Sequence, residues 1–259
     1  MKNSEQVVLI TGAASGIGFQ LAESFASNGS KVVLADRDQQ RVKQAASQLI
    51  AKGYIAHPTV VDVTKEDDIK QMIEFTLNQC GRLDVLVNNA GMQHIAPLEH
   101  YSTERYQLLL SIMLVGPFMA IKHAMPIMKN QGYGRIINMS SINGIIGFAG
   151  KAAYNSAKHG IIGLSKVAAL ESAEYNITVN CIAPGYIDTP LVRDQLKDLA
   201  YTRKVDEKSV LEDIIYPLVP QKRLITVEEV ASMAIYLSSE AAKGITGQTL
   251  VIDGGYTVQ

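Results

Sequence analysis

The 259-residue chain contains no tryptophan, only two cysteines and 6% aromatic residues. Cys80 and Cys181 lie far apart, and the sequence has neither a CxxC pair nor a cluster of cysteines and histidines at metal-ligand spacing. Structural zinc sites require such clusters. We therefore expect no bound metal, and we predict that both thiols are reduced and packed as small apolar groups.

An excess of either charge is also absent, because 24 basic and 25 acidic residues give a net charge of −1 without a run of like charge. Proteins that bind nucleic acid normally carry a basic stripe, so no nucleic-acid partner is expected. No apolar run approaches the ~18 residues of a membrane span, and residues 1–6 are polar, unlike a signal peptide. These absences favour a cytoplasmic protein that acts on a small molecule and has no membrane partner.

Apolar residues make up 47% of the chain, which is enough for the core of one large domain spanning residues 1–259. Short β-branched runs alternate with segments of helical periodicity. Continuous apolar strands joined by helices predict an α/β, Rossmann-type, doubly wound parallel seven-stranded sheet with helices on both faces. The predicted strands are residues 7–10, 32–35, 55–61, 85–87, 135–139, 177–183 and 250–252.

The predicted helices have recognisable starting signals. Thr64 is expected to be an N-cap, and Thr226 with Glu229 has the spacing of a capping box. The charged, then proline-rich segment 188–220 interrupts the alternation, and we predict that it forms a small mobile cap over a substrate site. The helices are expected at residues 16–28, 38–52, 64–79, 103–130, 152–175 and 226–238, the fourth of these being either one long helix or a kinked pair.

A glycine-rich turn, Thr11-Gly-Ala-Ala-Ser-Gly-Ile-Gly18, directly follows the first predicted strand. Glycines allow a tight turn and let the backbone approach a pyrophosphate, and the N-terminus of the following helix offers free N–H groups to that anion. The strand–turn–helix context makes this more specific than a glycine cluster alone. The sequence therefore predicts a dinucleotide site.

Acidic residues follow the next two predicted strands. Asp36 can accept hydrogen bonds from the adenosine ribose and would repel the additional phosphate of NADP, whereas Arg37 could pair with that phosphate. We predict NAD. Asp62, followed by Val63, can bond the adenine amino group or serve as an acid at a helix N-terminus, and both interpretations remain open. Asn88-Asn-Ala-Gly91 suits close approach of backbone to the cofactor.

Three residue types suited to alcohol–ketone chemistry are predicted at one edge of the sheet. Tyr154 and Lys158 share a helix face at i, i+4 spacing, and Ser141 follows the fifth strand together with Ser140. A nearby ammonium should lower the pKa of the tyrosine, so that the phenolate can remove a hydroxyl proton. Ser141 can hold the substrate oxygen as charge develops.

These motifs together resemble the short-chain dehydrogenase/reductase family over essentially the full chain, with Pro184-Gly185 and Thr189 as further matches. The resemblance implies that Tyr154 is the acid/base, that Lys158 also binds the nicotinamide ribose, that Ser141 orients the substrate, and that the protein is a homotetramer. The cofactor contacts expected from the turn and the resemblance are Gly12, Ser15, Gly16, Ile17, Gly18, Asp36, Asp62, Val63, Asn89, Ala90, Gly91, Tyr154, Lys158, Pro184, Gly185, Ile187 and Thr189.

One position departs from the family pattern. The family usually has an asparagine where this chain has Met113, and a thioether cannot donate or accept as an amide does. In the family the backbone carbonyl at this position holds a water in a proton relay. That role can survive the substitution, whereas the side-chain role cannot.

Finer features resemble the bacterial D-3-hydroxybutyrate dehydrogenases within that family, including Gly91-Met-Gln-His94, Gly150-Lys-Ala-Ala-Tyr154 and the C-terminal Gly254-Gly-Tyr256. The resemblance implies that Gln93, Lys151 and Gln195 bind the substrate carboxylate, and Lys151 lies one turn before Tyr154. Asn143 and Tyr256 occupy positions where that group has His and Trp. The expected substrate contacts are Gln93, Ser141, Asn143, Lys151, Tyr154, Gln195 and Tyr256.

The leading hypothesis is therefore NAD-dependent interconversion of a short 3-hydroxy acid, (R)-3-hydroxybutyrate, and its 3-oxo acid. A sugar or polyol dehydrogenase and a 3-oxoacyl thioester reductase share the same fold and triad. A dinucleotide-binding protein without activity is the third hypothesis. Only Met113 favours it, and the intact Tyr154 and Lys158 argue against it.

Overall fold

A computed structural model describes residues 6–189, Arg193 and residues 206–258, so Gln195 and much of the predicted cap lie outside the described residues. Seven parallel strands form one sheet, as predicted, and their order is β3-β2-β1-β4-β5-β6-β7. The strands are β1 Val7–Thr11, β2 Lys31–Asp36, β3 Ala56–Val60, β4 Val85–Asn88, β5 Gly134–Met139, β6 Ile177–Pro184 and β7 Thr249–Ile252.

Three of the described helices pack on each face of this sheet. The helices are α1 Gly16–Ser27, α2 Gln39–Ala51, α3 Glu66–Cys80, α4 Thr103–Leu110, α5 Gly116–Gln131, α6 Ala152–Ser172, α7 Glu207–Val210 and α8 Val227–Ser238. One apolar core lies between the sheet and α1, α2 and α8, and the other lies beneath α3, α5 and α6. A doubly wound sheet buries its central strands on both faces, which is why β1 reads as a continuous apolar run.

The strand order reverses between β1 and β4, the two central neighbours. All the described strand pairs are parallel, so the strands end at the same edge, where Thr11 pairs with Ala35 and Asn88 pairs with Asn138. Connections leaving β1 and β4 diverge to opposite faces and open a crevice at that edge, which is where such sheets bind ligands. The predicted site segments all follow strands at this edge.

The structure corrects one helix prediction and decides between the two alternatives for another. Helix α3 begins at Glu66 with Lys65 at its N-cap, so Thr64 is not the capping residue. Of the two alternatives for residues 103–130, the pair of helices is confirmed, because a wider turn at Ser111–Val115 separates α4 from α5. Pro117 has no N–H to bond the carbonyl of Met113, and the chain instead bonds Gly116 N–H to the Ser111 carbonyl. The capping box of Thr226 and Glu229 is confirmed.

This stretch, Thr103–Gln131, is also long and apolar enough to cross a membrane by length and composition alone, with a mean hydropathy of 1.7. Half of its most apolar 18-residue segment is buried within the domain. Met119, Ala124 and Met128 pack in the core beneath the sheet. Burial against the sheet accounts for its apolar composition, as it does in the core helices of globular proteins.

Candidate active site

The glycine-rich turn after β1 has a backbone that only glycine adopts easily. Gly12 and Gly16 have φ values of 65° and 56°. A Cβ on Gly18 would lie 2.2 Å from the Gly12 carbonyl oxygen, whereas one on Gly16 would meet nothing within 4 Å. The turn is therefore tightly packed on its inner side and open on the side where α1 presents its N-terminal N–H groups.

The turn is held to the end of β4 by side-chain hydrogen bonds. Asn89 Nδ2 donates to the carbonyls of Thr11 and Gly12 at 3.0 and 3.1 Å. The Thr11 hydroxyl oxygen accepts from the N–H groups of Asn89 and Ala90 at 3.0 and 3.1 Å. These bonds fix both sides of the crevice relative to each other. Thr11 was missed as a site residue, although its place at the end of a buried strand is a usable signal.

A cleft of about 200 Å³ continues from this turn. Asp36 lies in its wall, with Oδ2 accepting from Ala14 N–H and Oδ1 accepting from Asp38 N–H. Arg37, the competing residue for cofactor choice, lines the same cleft. Of the residues predicted to bind a cofactor, the lining includes Gly12, Asp36, Asp62, Val63, Ala90 and Gly91, together with the unpredicted Met92, Leu108 and Ile112.

The position of Asp62 bears on its two interpretations. Its Oδ1 accepts from the N–H and the hydroxyl of Thr64, and these bonds hold the pKa of Asp62 below its usual range despite partial burial. The carboxylate lines the cleft and does not cap α3, which begins at Glu66. This geometry favours the adenine-binding interpretation.

The three predicted catalytic residues meet at the end of β5. Ser141 hydrogen-bonds Tyr154 and caps the short turn Ile142–Gly144 through Asn143 N–H. Lys158 Nζ lies 5.4 Å from the centre of the Tyr154 ring and donates to the Met139 carbonyl at 2.5 Å. Serine, tyrosine and lysine are therefore arranged to hold an alcohol oxygen and move its proton.

The expected lowering of the Tyr154 pKa is wrong. Burial raises the pKa of Tyr154, and the hydrogen bond from Ser141 offsets this only in part. Burial also lowers the pKa of Lys158 to about 8. Desolvation disfavours the charged form of both groups, and the ammonium of Lys158 is directed at the Met139 carbonyl.

Lys151, predicted to bind the substrate, is a partly buried cation without a counter-charge among the described residues. Its Nζ lies over the Phe148 ring, 5.1 Å from the centre, and no carboxylate in the described part of the chain forms an ion pair with it. Burial lowers the pKa of Lys151. Phe148 stacks on Tyr256 at 5.9 Å, and Tyr256 packs edge-on against Tyr186. The structure thus brings the predicted Lys151 and Tyr256 to one aromatic wall, which includes the unpredicted Phe148 and Tyr186.

The other predicted substrate residues differ in their placement. Gln93 lies in the loop after β4, and its Oε1 is buried with no hydrogen-bond partner among the described residues. This loop is joined to the loop that carries Lys151 by a hydrogen bond from Ala96 N–H to the Gly150 carbonyl at 3.0 Å. Asn143 is buried, and its amide donates to Asn155 of α6 at 3.5 Å, which is a long bond. Gln195 lies outside the described residues.

The segment after β6 borders the same edge. The Ser141 hydroxyl faces the Pro184 carbonyl at 3.5 Å, and Gly185 packs against Asp253 so closely that a Cβ would lie 2.9 Å from the Asp253 Cα. Ile187 and Thr189 are both buried, and Ile187 pairs with Ile225. Of these predicted cofactor residues, Pro184 lies against Ser141, and the others continue the chain from it.

Comparison with known proteins agrees with this arrangement. The model of the family described as enoyl-(acyl carrier protein) reductase matches residues 12–257. The chain is 40% identical to a D-β-hydroxybutyrate dehydrogenase of Rhizobium meliloti strain 1021, covering 98% of this chain and 99% of that one. It is 55% identical to an uncharacterised oxidoreductase of Bacillus subtilis strain 168, with the same coverage.

The chain belongs to the short-chain dehydrogenase/reductase family. Among solved structures, levodione reductase and NAD⁺-bound xylitol dehydrogenase each superpose with a TM-score of 0.92 at 32% identity. Each alignment covers 98% of this chain, with 98% and 100% of the respective structures. The family consists of oxidoreductases that use a nicotinamide cofactor.

The residues of this short-chain dehydrogenase/reductase fit such a cofactor. The open side of Gly16 leaves room for a pyrophosphate at the N-terminus of α1, and the adjoining cleft presents Asp36 and Asp62 to an adenosine. Tyr154 and Lys158 lie in α6 next to Ser141, whose hydroxyl faces the Pro184 carbonyl.

Met113, where the family usually has asparagine, is 2% exposed and packs beside Gly91 in an apolar cluster. Its thioether fills space and offers no amide. Its carbonyl lacks the ordinary helical donor because that donor would be the N–H of Pro117. The departure therefore removes the side-chain role and leaves the carbonyl available.

Buried polar groups beneath the catalytic residues were missed by sequence reasoning. Asn88 Nδ2 donates to Asn138 Oδ1 at 2.8 Å, and Asn138 Nδ2 donates to the Ser165 hydroxyl at 2.8 Å. The Ser140 hydroxyl donates to the Lys158 carbonyl at 2.9 Å. These bonds fix α6 against β4 and β5. Polar residues inside otherwise apolar strands were the available signal.

Proposed function

We propose that this protein uses NAD to interconvert a short 3-hydroxy acid and its 3-oxo acid, with (R)-3-hydroxybutyrate and acetoacetate as the best-fitting pair. Lys151 carries this proposal. A partly buried ammonium with no carboxylate partner in the described chain is one helical turn before the acid/base tyrosine. An unpaired buried charge is unfavourable, so a bound carboxylate would offset its desolvation.

The chemistry of the site follows from its own residues. Tyr154 removes the substrate hydroxyl proton during oxidation and returns one during reduction. The Ser141 hydroxyl, which already hydrogen-bonds Tyr154, donates to the substrate oxygen as negative charge develops there. Lys158 supplies positive charge 5.4 Å from the tyrosine ring. A bound NAD would supply the acceptor for the hydride of the carbinol carbon.

The choice of NAD rests on Asp36, whose carboxylate lines the adenosine cleft and would repel a 2′-phosphate. Arg37 in the same cleft is the opposing feature. Known relatives use either cofactor: xylitol dehydrogenase was solved with NAD⁺, and an actinorhodin polyketide ketoreductase variant, 30% identical with a TM-score of 0.93, was solved with NADPH.

The first experiment is absorbance at 340 nm with purified protein and (R)-3-hydroxybutyrate, its (S) enantiomer, xylitol and a 3-oxoacyl thioester, each with NAD(H) and NADP(H). Turnover confined to NAD and the (R) acid supports the proposal. Turnover of xylitol instead would favour a polyol dehydrogenase, and turnover of the thioester would favour a 3-oxoacyl thioester reductase. The resemblance to D-β-hydroxybutyrate dehydrogenases favours neither alternative. A 3-oxoacyl reductase of Thermotoga maritima is 35% identical to this chain, so the thioester arm is needed.

The sharper test is Lys151→Met, which keeps most of the length of the unbranched side chain and removes its charge. Loss of a charge-assisted bond of about 1.5–3 kcal/mol should lower kcat/KM for the acid roughly 10- to 150-fold. Lys166→Met, an exposed lysine on the same helix, is the matched control and should leave kcat/KM unchanged. Equal values for both variants would refute the carboxylate-binding role of Lys151.

A further inference from the structure

The turn that follows the last strand is built around one buried carboxylate. Asp253 is 7% exposed, and no cationic side chain among the described residues forms an ion pair with it. Its Oδ1 accepts from Gly255 N–H at 2.8 Å, and its Oδ2 accepts from the N–H and the hydroxyl of Thr257 at 2.8 and 2.7 Å. Burial alone would raise the pKa of Asp253, but these bonds hold it below its usual range.

This turn carries Tyr256 between the two residues whose N–H groups bond Asp253. The Tyr256 ring stacks on Phe148 with an interplanar angle of 22°, and Phe148 in turn lies under the Lys151 ammonium. The Tyr256 N–H also donates to the Asp253 carbonyl at 3.3 Å. A continuous set of contacts therefore runs from the carboxylate through two aromatic rings to the substrate-side lysine.

The same turn also contacts the segment before α8. Gln221 N–H donates to the Gly254 carbonyl at 3.1 Å, and a Cβ on Gly254 would lie 2.8 Å from Val219. Tyr256 packs against the cluster formed by Val210, Ile215 and Val219. The described part of the predicted cap thus rests on the residues that Asp253 orders.

We propose that Asp253 is a positioning residue for the substrate site: its carboxylate fixes the C-terminal turn so that Tyr256 holds Phe148 beneath Lys151. It touches neither reacting atoms nor the glycine-rich turn, and it acts through Tyr256. The inference rests on the proposed function, since only there does Lys151 belong to the substrate site.

The positioning role is tested first without reference to activity. The chain contains no tryptophan, so Tyr256→Trp introduces a single tryptophan at the aromatic wall, and its emission is separated from that of the tyrosines by excitation at about 295 nm. Asp253→Asn replaces one accepting carboxylate oxygen by an NH₂ group, which cannot accept a hydrogen bond from the backbone N–H that faces it. The substitution keeps the Cα and Cβ that pack on Gly185. In the Tyr256→Trp background, Asp253→Asn should red-shift the emission and raise the acrylamide quenching constant about twofold, because the turn opens locally.

Two further variants keep this test decisive. Thr257→Val removes one of the three bonds and should give a smaller change in the same direction, even if Asp253→Asn folds poorly. Asp38→Asn, which removes a helix-capping carboxylate after β2, near the opposite edge of the sheet, is the matched control and should change nothing. Unchanged fluorescence in both Asp253→Asn and Thr257→Val would overturn the proposal.

The functional arm is a double-mutant cycle with the substrate that the wild type turns over. Asp253→Asn should raise the KM for the acid about tenfold, through displacement of the binding groups, with little change in NADH affinity. In a Tyr256→Ala background it should add nothing, because the two residues act as one unit. Additive effects would refute action through Tyr256. If the wild type oxidises no 3-hydroxy acid, the proposed function fails, whereas the fluorescence result still decides the role of Asp253.

Discussion

Gly144 carries no functional side-chain atom, yet its replacement by alanine is expected to disable the catalytic site. The residue ends the short turn that follows Ser141, and that turn packs directly on α6. A Cβ at Gly144 would lie 2.4 Å from the Lys158 carbonyl oxygen and 2.5 Å from Ser140 Oγ. Both neighbours belong to the elements that position the serine, the tyrosine and the lysine.

The size of the effect follows from this geometry. Ordinary contact begins at 3.4 Å, so the turn and the helix must separate by about 1 Å. The Lys158 oxygen is backbone, and the bond from the Ser140 hydroxyl would be disrupted. A displacement of about 1 Å in a catalytic constellation can lower the rate roughly 100-fold, and overpacking costs about 1–3 kcal/mol of stability.

The assay compares Gly144→Ala with Gly147→Ala, three residues further along the same connection. A Cβ at Gly147 meets nothing within 4 Å, so this control should keep kcat/KM within about threefold, as expected of a surface change. NADH binding followed by fluorescence should persist in Gly144→Ala, because the glycine-rich turn is untouched. Activity of Gly144→Ala close to that of Gly147→Ala would refute the packing argument.

Two further predictions concern the centre of the site. Burial lowers the pKa of Lys158 to about 8 from 10.5 in the unfolded chain, so between pH 8 and 10 the unfolded state binds more protons and stability rises with pH. Chemical denaturation should therefore show that the free energy of unfolding increases by about 2 kcal/mol over this pH range, and that this increase is absent in Lys158→Met. A difference in unfolding free energy between wild type and Lys158→Met that does not change with pH would contradict the prediction. Met113→Asn buries an amide in an apolar cluster and should lower stability by about 1–3 kcal/mol, measured by urea unfolding, whereas a gain in stability would refute this view of the pocket.

Local features of the sequence carried much of the architecture. The apolar runs of the central strands and the glycine turn after β1 each consist of consecutive residues. They were predicted with small errors at the ends. The capping box at Thr226 was predicted correctly for the same reason. Thr64 was misassigned because its bonding partner, Asp62, precedes the helix and is equally compatible with a turn.

The bonds that connect distant segments were not predictable in this way. The contacts of Thr11 with Asn89 and of Asn138 with Ser165 join residues that only the folded sheet brings together. The aromatic wall of Phe148, Tyr186 and Tyr256 is formed by residues from three separate loops, so no spacing in the sequence predicts it. Only the C-terminal member of this wall was predicted.

The sequence by itself determined the alternating strands and helices, the phosphate-binding turn and the shared helix face of Tyr154 and Lys158, because these depend on neighbouring residues and on fixed periodicities. The tertiary structure decided the electrostatics. It set the raised pKa of Tyr154, the lowered pKa of Lys158 and the lack of a carboxylate partner for Lys151 in the described chain. Burial and the positions of distant charges decide such properties, and both exist only once the chain has folded.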